Sequence, residues 1–585
     1  MGVHKPLPFL SLAVAALAAS AGQAPAGPKA DPARQWLRSL TPAERVAQLV
    51  MVPFYGDAPN PRSAAWKEYE SLARDLRVGG LIVLNRVREG AVERADPYQM
   101  AAFLNRMQRL ARTPLIVAGD FERGASMRMS STVTFPHAMA YAAADDEEGA
   151  RRLGRATARE ARAMGVHWIF APDADVNNNP DNPIINIRSF GEDPRQVARM
   201  VRAYIEGAHS QPRARVLVTV KHFPGHGDTS TDSHMGLGVV TADLARLETV
   251  ELVPFRAAIE AGVDAIMTAH LAVPALDEER IPATVSRRIM TGLLRDRLGF
   301  GGILTTDAMD MRGLTQMFAP GEAAVRALEA GNDLLLIPQD PRAAVRGVME
   351  ALRKGRLTQA RIDASVLKIL RAKLRLGLFR QRFVRIEDIP DALLDPEDLA
   401  AARSTAQRAV TLVKNEGGVV PLRDMKGACW FILSGSRFST QGLGLAEELR
   451  ARGIRDAALL DPLLPETEFA AQAEKAGTCG AVVVAAYVTA SAYRGSVDLA
   501  GGYPGFVEKL LATGRPVILV AFGNPYLLRT CPEVAACLAA FSTARVSEEA
   551  VVRAVLGEAA IGGRLPVTIP GLAPAGFGVK IEKPD

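Results

Sequence analysis

Residues 221–234 carry an unusual density of side chains that can transfer protons or bind a polar ligand. The segment reads KHFPGHGDTSTDSH and holds three of the eight histidines in the 585-residue chain. An imidazole titrates near neutral pH, and a carboxylate two residues away can fix its tautomer and stabilise the imidazolium. Asp232 and His234 have this spacing, so we predict that they act together as a general acid/base pair.

A buried strand must position this segment. Residues 216–220 lie directly before it and are apolar apart from Thr219, with the β-branched content that is typical of a strand buried on both faces. Similar short apolar runs alternate with amphipathic helical patterns from about residue 31 to residue 380. The predicted strands are 48–53, 80–84, 115–119, 166–170, 216–220, 265–268, 303–306 and 334–337.

Eight consecutive βα units predict a (β/α)8 TIM-type barrel over residues 31–380, in which the active site lies on the loops after the carboxyl ends of the strands. The residues that follow the predicted strands agree with this rule. Asp120 follows the third strand, Arg188 lies in the long loop after the fourth, Lys221 follows the fifth and Asp307 follows the seventh. Ordinary solvated loops would not place acids and bases at strand ends so regularly.

The segment 221–234 resembles the signature of glycoside hydrolase family 3, in its β-N-acetylglucosaminidase branch and its two-domain form. The resemblance implies that a Lys-His pair binds the sugar, and Lys221 and His222 match that pair. It also implies an Asp-x-His dyad on a mobile loop as the general acid/base, which Asp232 and His234 match. More than ten positions over fourteen residues agree with the signature, and with the second domain the resemblance extends over nearly all of the chain.

The loop after the third strand adds to the resemblance. The family pattern Asp-x-Glu-x-Gly-x-x-x-Arg is met by Asp120, Glu122, Gly124 and Arg128. The resemblance implies that Asp120 accepts hydrogen bonds from sugar hydroxyls and that Arg128 shapes the pocket. A second glycine that is usual in the pattern is replaced by Arg123, which leaves the preferred leaving group open.

Arg188, in the sequence Arg-Ser-Phe-Gly, matches a substrate-binding arginine of the family. The alternative is that this arginine braces its loop by pairing with Glu192 or Asp193. His226 and Asp228 are expected to shape the loop that carries the acid/base pair.

A glycoside hydrolase needs a rigidly held carboxylate at the anomeric carbon and a second group that protonates the leaving oxygen. Asp307 follows a strand directly and matches the family nucleophile. Asp310 is the alternative nucleophile, and a helix N-cap is the alternative role for Asp307. We therefore expect a retaining reaction with a covalent glycosyl-enzyme intermediate.

The expected activity is that of a β-N-acetylglucosaminidase without cofactor or metal, acting on terminal β-linked N-acetylhexosamine of peptidoglycan fragments or chitin-type oligosaccharides. A family 3 β-glucosidase, an N-acetylglucosaminide phosphorylase and a sugar-binding protein without activity remain open. A metal-dependent hydrolase is a further alternative, although Lys221 would repel a cation. Its candidate ligands are His222, His226, His234, Asp228 and Asp232.

The last third of the chain predicts a separate domain. Residues 381–400 are charged and contain two prolines, which is typical of a linker with a short helix, and residues 401–585 predict a smaller α/β sandwich domain without any histidine. Its predicted strands are 429–433, 457–460, 481–486, 517–521 and 537–541. All four cysteines lie in this domain, and Cys531 and Cys537 are expected either to pair or to remain buried free thiols.

The first 24 residues predict a signal peptide, because a basic start precedes the apolar run 7–19 and small residues follow. An exported protein, periplasmic or secreted and not bound to a membrane after cleavage, is therefore expected; an uncleaved anchor is the alternative. The net charge of +6 is mild for this length and comes without a basic block, so nucleic acid is not an expected partner.

Overall fold

The structure is a computed structural model that describes Gly2 and residues 31–88, 91–490 and 496–583. The predicted signal peptide lies outside the described residues apart from Gly2, so export stays a prediction. Across the described ranges, no helix combines the length and the apolar character that crossing a bilayer requires.

Eight parallel strands form the barrel, and the predicted fold is confirmed. The strands lie in the sheet in chain order, and Thr305 of the seventh pairs with Leu334 beside the eighth, which brings the last strand between the seventh and the first. Because every pair is parallel, all carboxyl ends meet at one edge. The strands are β1 Val50–Phe54, β2 Gly80–Val83, β3 Ile116–Gly119, β4 Trp168–Ile169, β5 Leu217–Phe223, β6 Ala265–Thr268, β7 Ile303–Thr305 and β8 Leu335–Leu336.

Strand β5 extends three residues beyond its predicted end, so Lys221 and His222 belong to the strand rather than to the following loop. The pairing with β6 continues to Phe223, opposite Thr268, but its register shifts between Val220 and Phe223. The local apolar pattern ends at Val220, so it could not indicate that the polar residues beyond it remain hydrogen-bonded to a neighbouring strand.

Helices surround the barrel sheet. Short 3-10 helices and π-helices also occur, and the π-helices include Ser71–Leu76 and Arg288–Arg297. The α-helices are α1 Pro32–Arg38, α2 Pro42–Ala47, α3 Ala64–Glu70, α4 Pro97–Leu110, α5 Ala138–Ala143, α6 Glu147–Ala163, α7 Pro194–His209, α8 Leu244–Thr249, α9 Val253–Glu260, α10 Arg312–Thr315, α11 Pro320–Ala330, α12 Pro341–Arg353 and α13 Gln359–Arg375.

The helix starts follow side-chain chemistry that is visible in the sequence. Thr41 caps α2 by accepting a hydrogen bond from the Glu44 amide at 3.3 Å, and the Glu44 carboxylate accepts one from the Thr41 amide at 2.6 Å. This reciprocal pair satisfies two amide groups that have no partner within the helix. It fixes the approach of the chain to β1.

The region predicted as a linker packs on the barrel. Helix α14, Pro396–Ala409, begins within residues 381–400 and is longer than the short helix predicted there. Its buried Asp398 accepts hydrogen bonds from Arg152 at 2.6 Å and Arg159 at 2.7 Å, both on α6. These ion pairs depend on a neighbour about 240 positions away, which explains why local composition did not indicate that this helix packs on the barrel.

The second domain is built on a six-stranded sheet with the order β9-β14-β13-β12-β10-β11, in which only the β9–β14 pair is antiparallel. The five predicted strands are present, and β9 was missed because it is an edge strand in which three of the five residues are polar. The strands are β9 Thr411–Asn415, β10 Ala428–Leu433, β11 Ala457–Leu460, β12 Ala481–Val488, β13 Val517–Gly523 and β14 Ala536–Ala539. The helices are α15 Leu443–Ala451, α16 Glu466–Ala476, α17 Tyr503–Ala512 and α18 Arg545–Val555.

The structure decides between the two alternatives for Cys531 and Cys537. Cys531 and Cys537 are buried free thiols, so the alternative in which they form a disulfide is wrong. The disulfide joins Cys429 and Cys479 instead. Strands β10 and β12 are parallel neighbours, and this tertiary pairing brings two cysteines that are 50 residues apart within reach of each other.

Candidate active site

A cavity of about 440 Å³ lies where the side chains from the carboxyl ends of the barrel strands converge. Asp232 is buried behind the cavity wall, where its carboxylate is hydrogen-bonded to His234. The other seven predicted site residues all line the cavity: Asp120, Arg128, Arg188, Lys221, His222, His234 and Asp307.

Lys221 is bound by carboxylates of the β3 loop. Its ammonium nitrogen lies 2.9 Å from Asp120 Oδ1 and 2.7 Å from Glu122 Oε1. Arg128 reaches the other oxygen of Asp120, at 3.2 Å. Burial disfavours the charged lysine, but the surrounding carboxylates outweigh it and raise the pKa of Lys221. The base of the cavity is therefore an ordered ionic cluster.

Arg188 belongs to the same cluster. It donates from Nε and Nη2 to the two oxygens of Glu122, both at 2.9 Å, and Nη2 also lies 3.2 Å from Asp173 Oδ2. The alternative of a brace with Glu192 or Asp193 is wrong, because Glu192 contacts the second domain and Asp193 caps α7. Bidentate pairing holds the guanidinium in one orientation towards the cavity.

His222 is oriented by an aspartate that the sequence reasoning missed. Its Nδ1 lies 2.8 Å from Asp175 Oδ2, while Asp175 Oδ1 accepts hydrogen bonds from the amides of His222 and His226 at 3.1 and 2.7 Å. Burial lowers the pKa of His222, but the Asp175 carboxylate more than compensates, so the pKa is raised overall. The sequence Asp-Ala-Asp at residues 173–175, which follows β4, could have indicated a carboxylate partner for a site residue.

Asp232 and His234 form the predicted pair. His234 Nδ1 lies 2.8 Å from Asp232 Oδ1, which also accepts the His234 backbone amide at 2.9 Å. The Asp232 side chain is fully buried, whereas the His234 side chain remains 26% exposed. Because the carboxylate binds Nδ1, Nε2 is the nitrogen that can exchange a proton with a ligand in the cavity.

Asp307 lies two residues beyond the end of β7 and is partly exposed to the cavity. Its Oδ1 accepts the Ala308 amide at 2.7 Å. Burial raises the pKa of its carboxyl group, but the imidazoles of His222, His270 and His234 have the larger effect. The pKa is therefore lowered overall, which favours the ionised form. The N-cap alternative is wrong because the next helix, α10, begins at Arg312 with Met311 as its N-cap.

Two further histidines, His270 and His226, support the site without belonging to the reacting groups. His270 is buried and uses Nδ1 to contact Thr284 at 2.8 Å and Nε2 to contact the Ala308 carbonyl at 3.0 Å. It therefore fixes the backbone beside Asp307. His226 lies 3.1 Å from the Ser233 hydroxyl, and burial lowers its pKa to about 4, so it is neutral at physiological pH.

Comparison with known protein families gives a match for each of the two domains. Residues 41–372 match the family model described as the glycosyl hydrolase family 3 N-terminal domain, and residues 410–575 match its C-terminal domain. The chain belongs to glycoside hydrolase family 3. The resemblance to this family that the sequence shows is therefore confirmed.

Relatives of this family 3 chain share both of its domains. A β-N-acetylglucosaminidase/β-glucosidase of Cellulomonas fimi is 29% identical over 91% of this chain and 95% of its own. Among solved structures, a family 3 β-N-acetylglucosaminidase of Paenibacillus sp. str. FPU-7 is 31% identical with a TM-score of 0.80, over 91% of this chain and 99% of its own. The β-glucoside phosphorylase BglX is 25% identical with a TM-score of 0.81, over 92% and 96% of the two chains.

The metal-ligand set considered from the sequence does not form in this family 3 site. Among the described residues, the group with suitable geometry for a metal is Asp173, Asp175 and His222. Arg188 lies 3.2 Å and Lys221 3.9 Å from Asp173. Two fixed cations at this position disfavour binding of a divalent metal ion.

The second domain completes the wall of the cavity. Ala490, which follows β12, is one of the lining residues. Asn177 and Asn186, in the long loop after β4, donate hydrogen bonds to Tyr526 at 2.9 Å and to Asn524 at 3.0 Å. The loop that carries Arg188 is thus held by both domains, which no local pattern in the sequence indicated.

Proposed function

We propose that this glycoside hydrolase is a retaining β-N-acetylglucosaminidase that removes terminal β-linked N-acetylhexosamine. The observation that carries the proposal is the arrangement of Asp307 and the Asp232–His234 pair on one cavity whose base is the Lys221 cluster. The named activities of the Cellulomonas fimi and Paenibacillus relatives support the N-acetylglucosaminide substrate.

The reaction follows from the positions of these groups. The sugar binds against Asp120, Arg188, Lys221 and His222, with its anomeric carbon towards Asp307. In the first step the Asp307 carboxylate attacks that carbon while His234 Nε2–H protonates the departing oxygen, which breaks the glycosidic bond. In the second step His234 accepts a proton from water, and the water attacks the glycosyl-enzyme and releases the β anomer.

The proposal is tested by the substrate preference of the enzyme and by the anomeric configuration of the first product. We expect wild-type protein to hydrolyse 4-nitrophenyl β-N-acetylglucosaminide with a higher kcat/KM than the matched glucoside, and proton NMR to show the β anomer first. A preference for the glucoside would favour the β-glucosidase alternative. An α anomer as the first product would exclude the double-displacement mechanism.

Phosphorolysis is the second candidate, because the β-glucoside phosphorylase BglX shares this fold over nearly the whole chain. In that reaction, phosphate would replace water in attacking the glycosyl-enzyme. Turnover in phosphate buffer with mass spectrometric detection of the sugar 1-phosphate distinguishes the two reactions. We expect free N-acetylglucosamine as the product with and without phosphate.

The proposed natural substrates are peptidoglycan fragments or chitin-type oligosaccharides, processed outside the cytoplasm in the periplasm or after secretion. The signal-like residues 1–24 support export, and the Cys429–Cys479 disulfide is of the kind that persists in oxidising compartments. N-terminal sequencing of protein recovered from the periplasm or medium tests this location. Recovery of the full-length chain from membranes would favour the uncleaved anchor.

A further inference from the structure

Among the described residues, the charges that line the cavity divide into a deep set paired with opposite charges and an exposed carboxylate at the mouth, that of Asp310. The deep cations Lys221, Arg188 and Arg128 contact the carboxylates of Asp120, Glu122 or Asp173. These cations are therefore already neutralised by acidic partners. They offer little net positive charge to a ligand that reaches the mouth.

Asp310 is the acidic residue at the mouth. It is exposed to solvent and lines the same cavity as Asp307 and His234. Partial shielding of its carboxyl group from water raises the pKa of Asp310, the charge of Asp307 acts in the same direction and His234 opposes them. Among the described residues, Asp307 and His234 are the charged neighbours that act on Asp310, and no lysine or arginine does so. The neighbouring exposed Arg312 does not line the cavity.

The proposed catalytic geometry places the leaving group next to this carboxylate. The terminal sugar occupies the deep cluster, its anomeric carbon faces Asp307, and the oxygen that departs faces His234. The leaving group therefore extends from His234 towards the solvent-exposed mouth, where Asp310 lies. An ionised carboxylate there attracts a cation on the leaving group and repels an anion.

We propose that Asp310 selects substrates by the charge of the leaving group. A leaving sugar that carries a protonated amino group, as in partly deacetylated chitin-type oligosaccharides, is preferred. A leaving sugar that carries a carboxylate, such as the lactyl-substituted sugar of peptidoglycan, is disfavoured. This inference rests on the proposed function and narrows its substrate class.

The experiment uses three aryl β-N-acetylglucosaminides that share one phenol ring and differ in a para substituent: aminomethyl, carboxamide or carboxylate. The kcat/KM values are measured at low ionic strength for wild type, Asp310→Asn and Asp310→Lys. Each variant is compared with wild type on the same substrates, so differences in intrinsic leaving-group reactivity cancel. The exposed Asp391→Asn serves as the matched control for loss of one negative charge elsewhere.

We expect Asp310→Asn to lower the ratio of kcat/KM for the cationic over the anionic substrate by about two- to tenfold relative to wild type, the range expected for exposed charges. Asp310→Lys should lower it further, and 1 M NaCl should reduce the differences between the proteins because the interaction is screened. Asp391→Asn should leave the ratio unchanged.

Disaccharides then test which class of natural leaving sugar is preferred. We expect N-acetylglucosamine linked β-1,4 to glucosamine to be cleaved with a higher kcat/KM than its lactyl-bearing counterpart, and Asp310→Asn to reduce that preference. Unchanged ratios in Asp310→Asn, with normal turnover of the neutral substrate, would overturn the inference and leave the proposed function intact. Failure of wild type to cleave any N-acetylglucosaminide would instead refute the proposed function.

Discussion

Two of the histidines that line the cavity differ in exposure although their contacts are alike. His222 and His234 each place Nδ1 2.8 Å from a buried aspartate. The His222 ring is buried, while a quarter of the His234 side chain is exposed. A buried imidazole held by a carboxylate suits a fixed role in binding the sugar, whereas an exposed imidazole can exchange protons with the leaving group and with water.

Replacing Asp307 by Asn should lower kcat/KM by more than about 1000-fold, because the reaction loses its nucleophile. The exposed Asp391→Asn serves as the control, and circular dichroism and the unfolding temperature should remain close to wild type for both variants. The measurement is kcat/KM on 4-nitrophenyl β-N-acetylglucosaminide. Activity within tenfold of wild type would transfer the role of nucleophile to Asp310.

Replacing His234 by Gln should reduce kcat/KM most for substrates with poor leaving groups, because activated phenols need little protonation. We expect Asp232→Asn to give a similar profile. The double variant should lose much less than the product of the two single losses, since the two residues act as one unit. The measurement is kcat/KM across leaving groups of graded pKa, and a His234 variant with no steeper dependence than wild type would exclude the histidine as the acid.

At the scale of elements, the irregular end of β5 explains how two consecutive residues enter one site. Successive side chains of a regular strand point to opposite faces of the sheet. Lys221 and His222 nevertheless both line the cavity. The shift in register between Val220 and Phe223 lies at these two residues, and such irregularities redirect side chains.

A buried carboxyl group on helix α6, that of Glu160, makes the stability of the protein depend on pH. Glu160 is fully buried; its Oε1 accepts the amides of Val133 and Leu394 at 3.0 and 3.3 Å, and burial raises its pKa to about 7. Between about pH 4.5 and pH 7 the unfolded chain releases this proton more readily than the folded protein. Stability therefore falls as pH rises through that window.

Glu160→Gln removes the ionisable group and keeps an acceptor oxygen. We expect its free energy of unfolding, relative to wild type, to rise by about 1 to 3 kcal/mol from pH 4.5 to pH 8. The measurement is urea denaturation at several pH values. Glu148→Gln, on the exposed side of the same helix, should show no such trend. A constant difference between Glu160→Gln and wild type across the range would contradict the assignment.

At the scale of the whole molecule, the second domain takes part in shaping the site. Tyr526 accepts a hydrogen bond from the Asn177 side chain, and Asn177 accepts the Asn186 amide at 2.8 Å, two residues before Arg188. All of these groups except Arg188 are buried. The second domain thereby helps to fix the loop that supplies a cation to the sugar-binding cluster.

Tyr526→Phe should lower the free energy of unfolding by about 1 to 3 kcal/mol, because the buried Asn177 amide loses its acceptor. It should also raise KM, because the Arg188 loop is held less firmly. Tyr98→Phe, at an exposed ring, is the control for loss of a hydroxyl group. The measurements are urea denaturation and steady-state kinetics. A destabilised variant with unchanged KM would show that the domain contact does not position the loop.

The sequence alone determined the barrel, the order of its strands and seven of the residues that line the cavity. Apolar periodicity reports whether a segment is buried, and the parallel βα pattern then places every strand end at one edge. Asp307, Lys221 and His234 could therefore be located before any contact was known, with the family resemblance supplying their expected roles.

Only the tertiary structure decided which groups become partners. Asp173, Asp175 and Glu122 were not predicted to contact Arg188, His222 or Lys221, because those pairs join separate strand loops. The Cys429–Cys479 disulfide and the position of Ala490 likewise depend on which strands and domains become neighbours. A local pattern reports the environment of a segment, but the partner of a charge is set by packing between segments that are far apart in the chain.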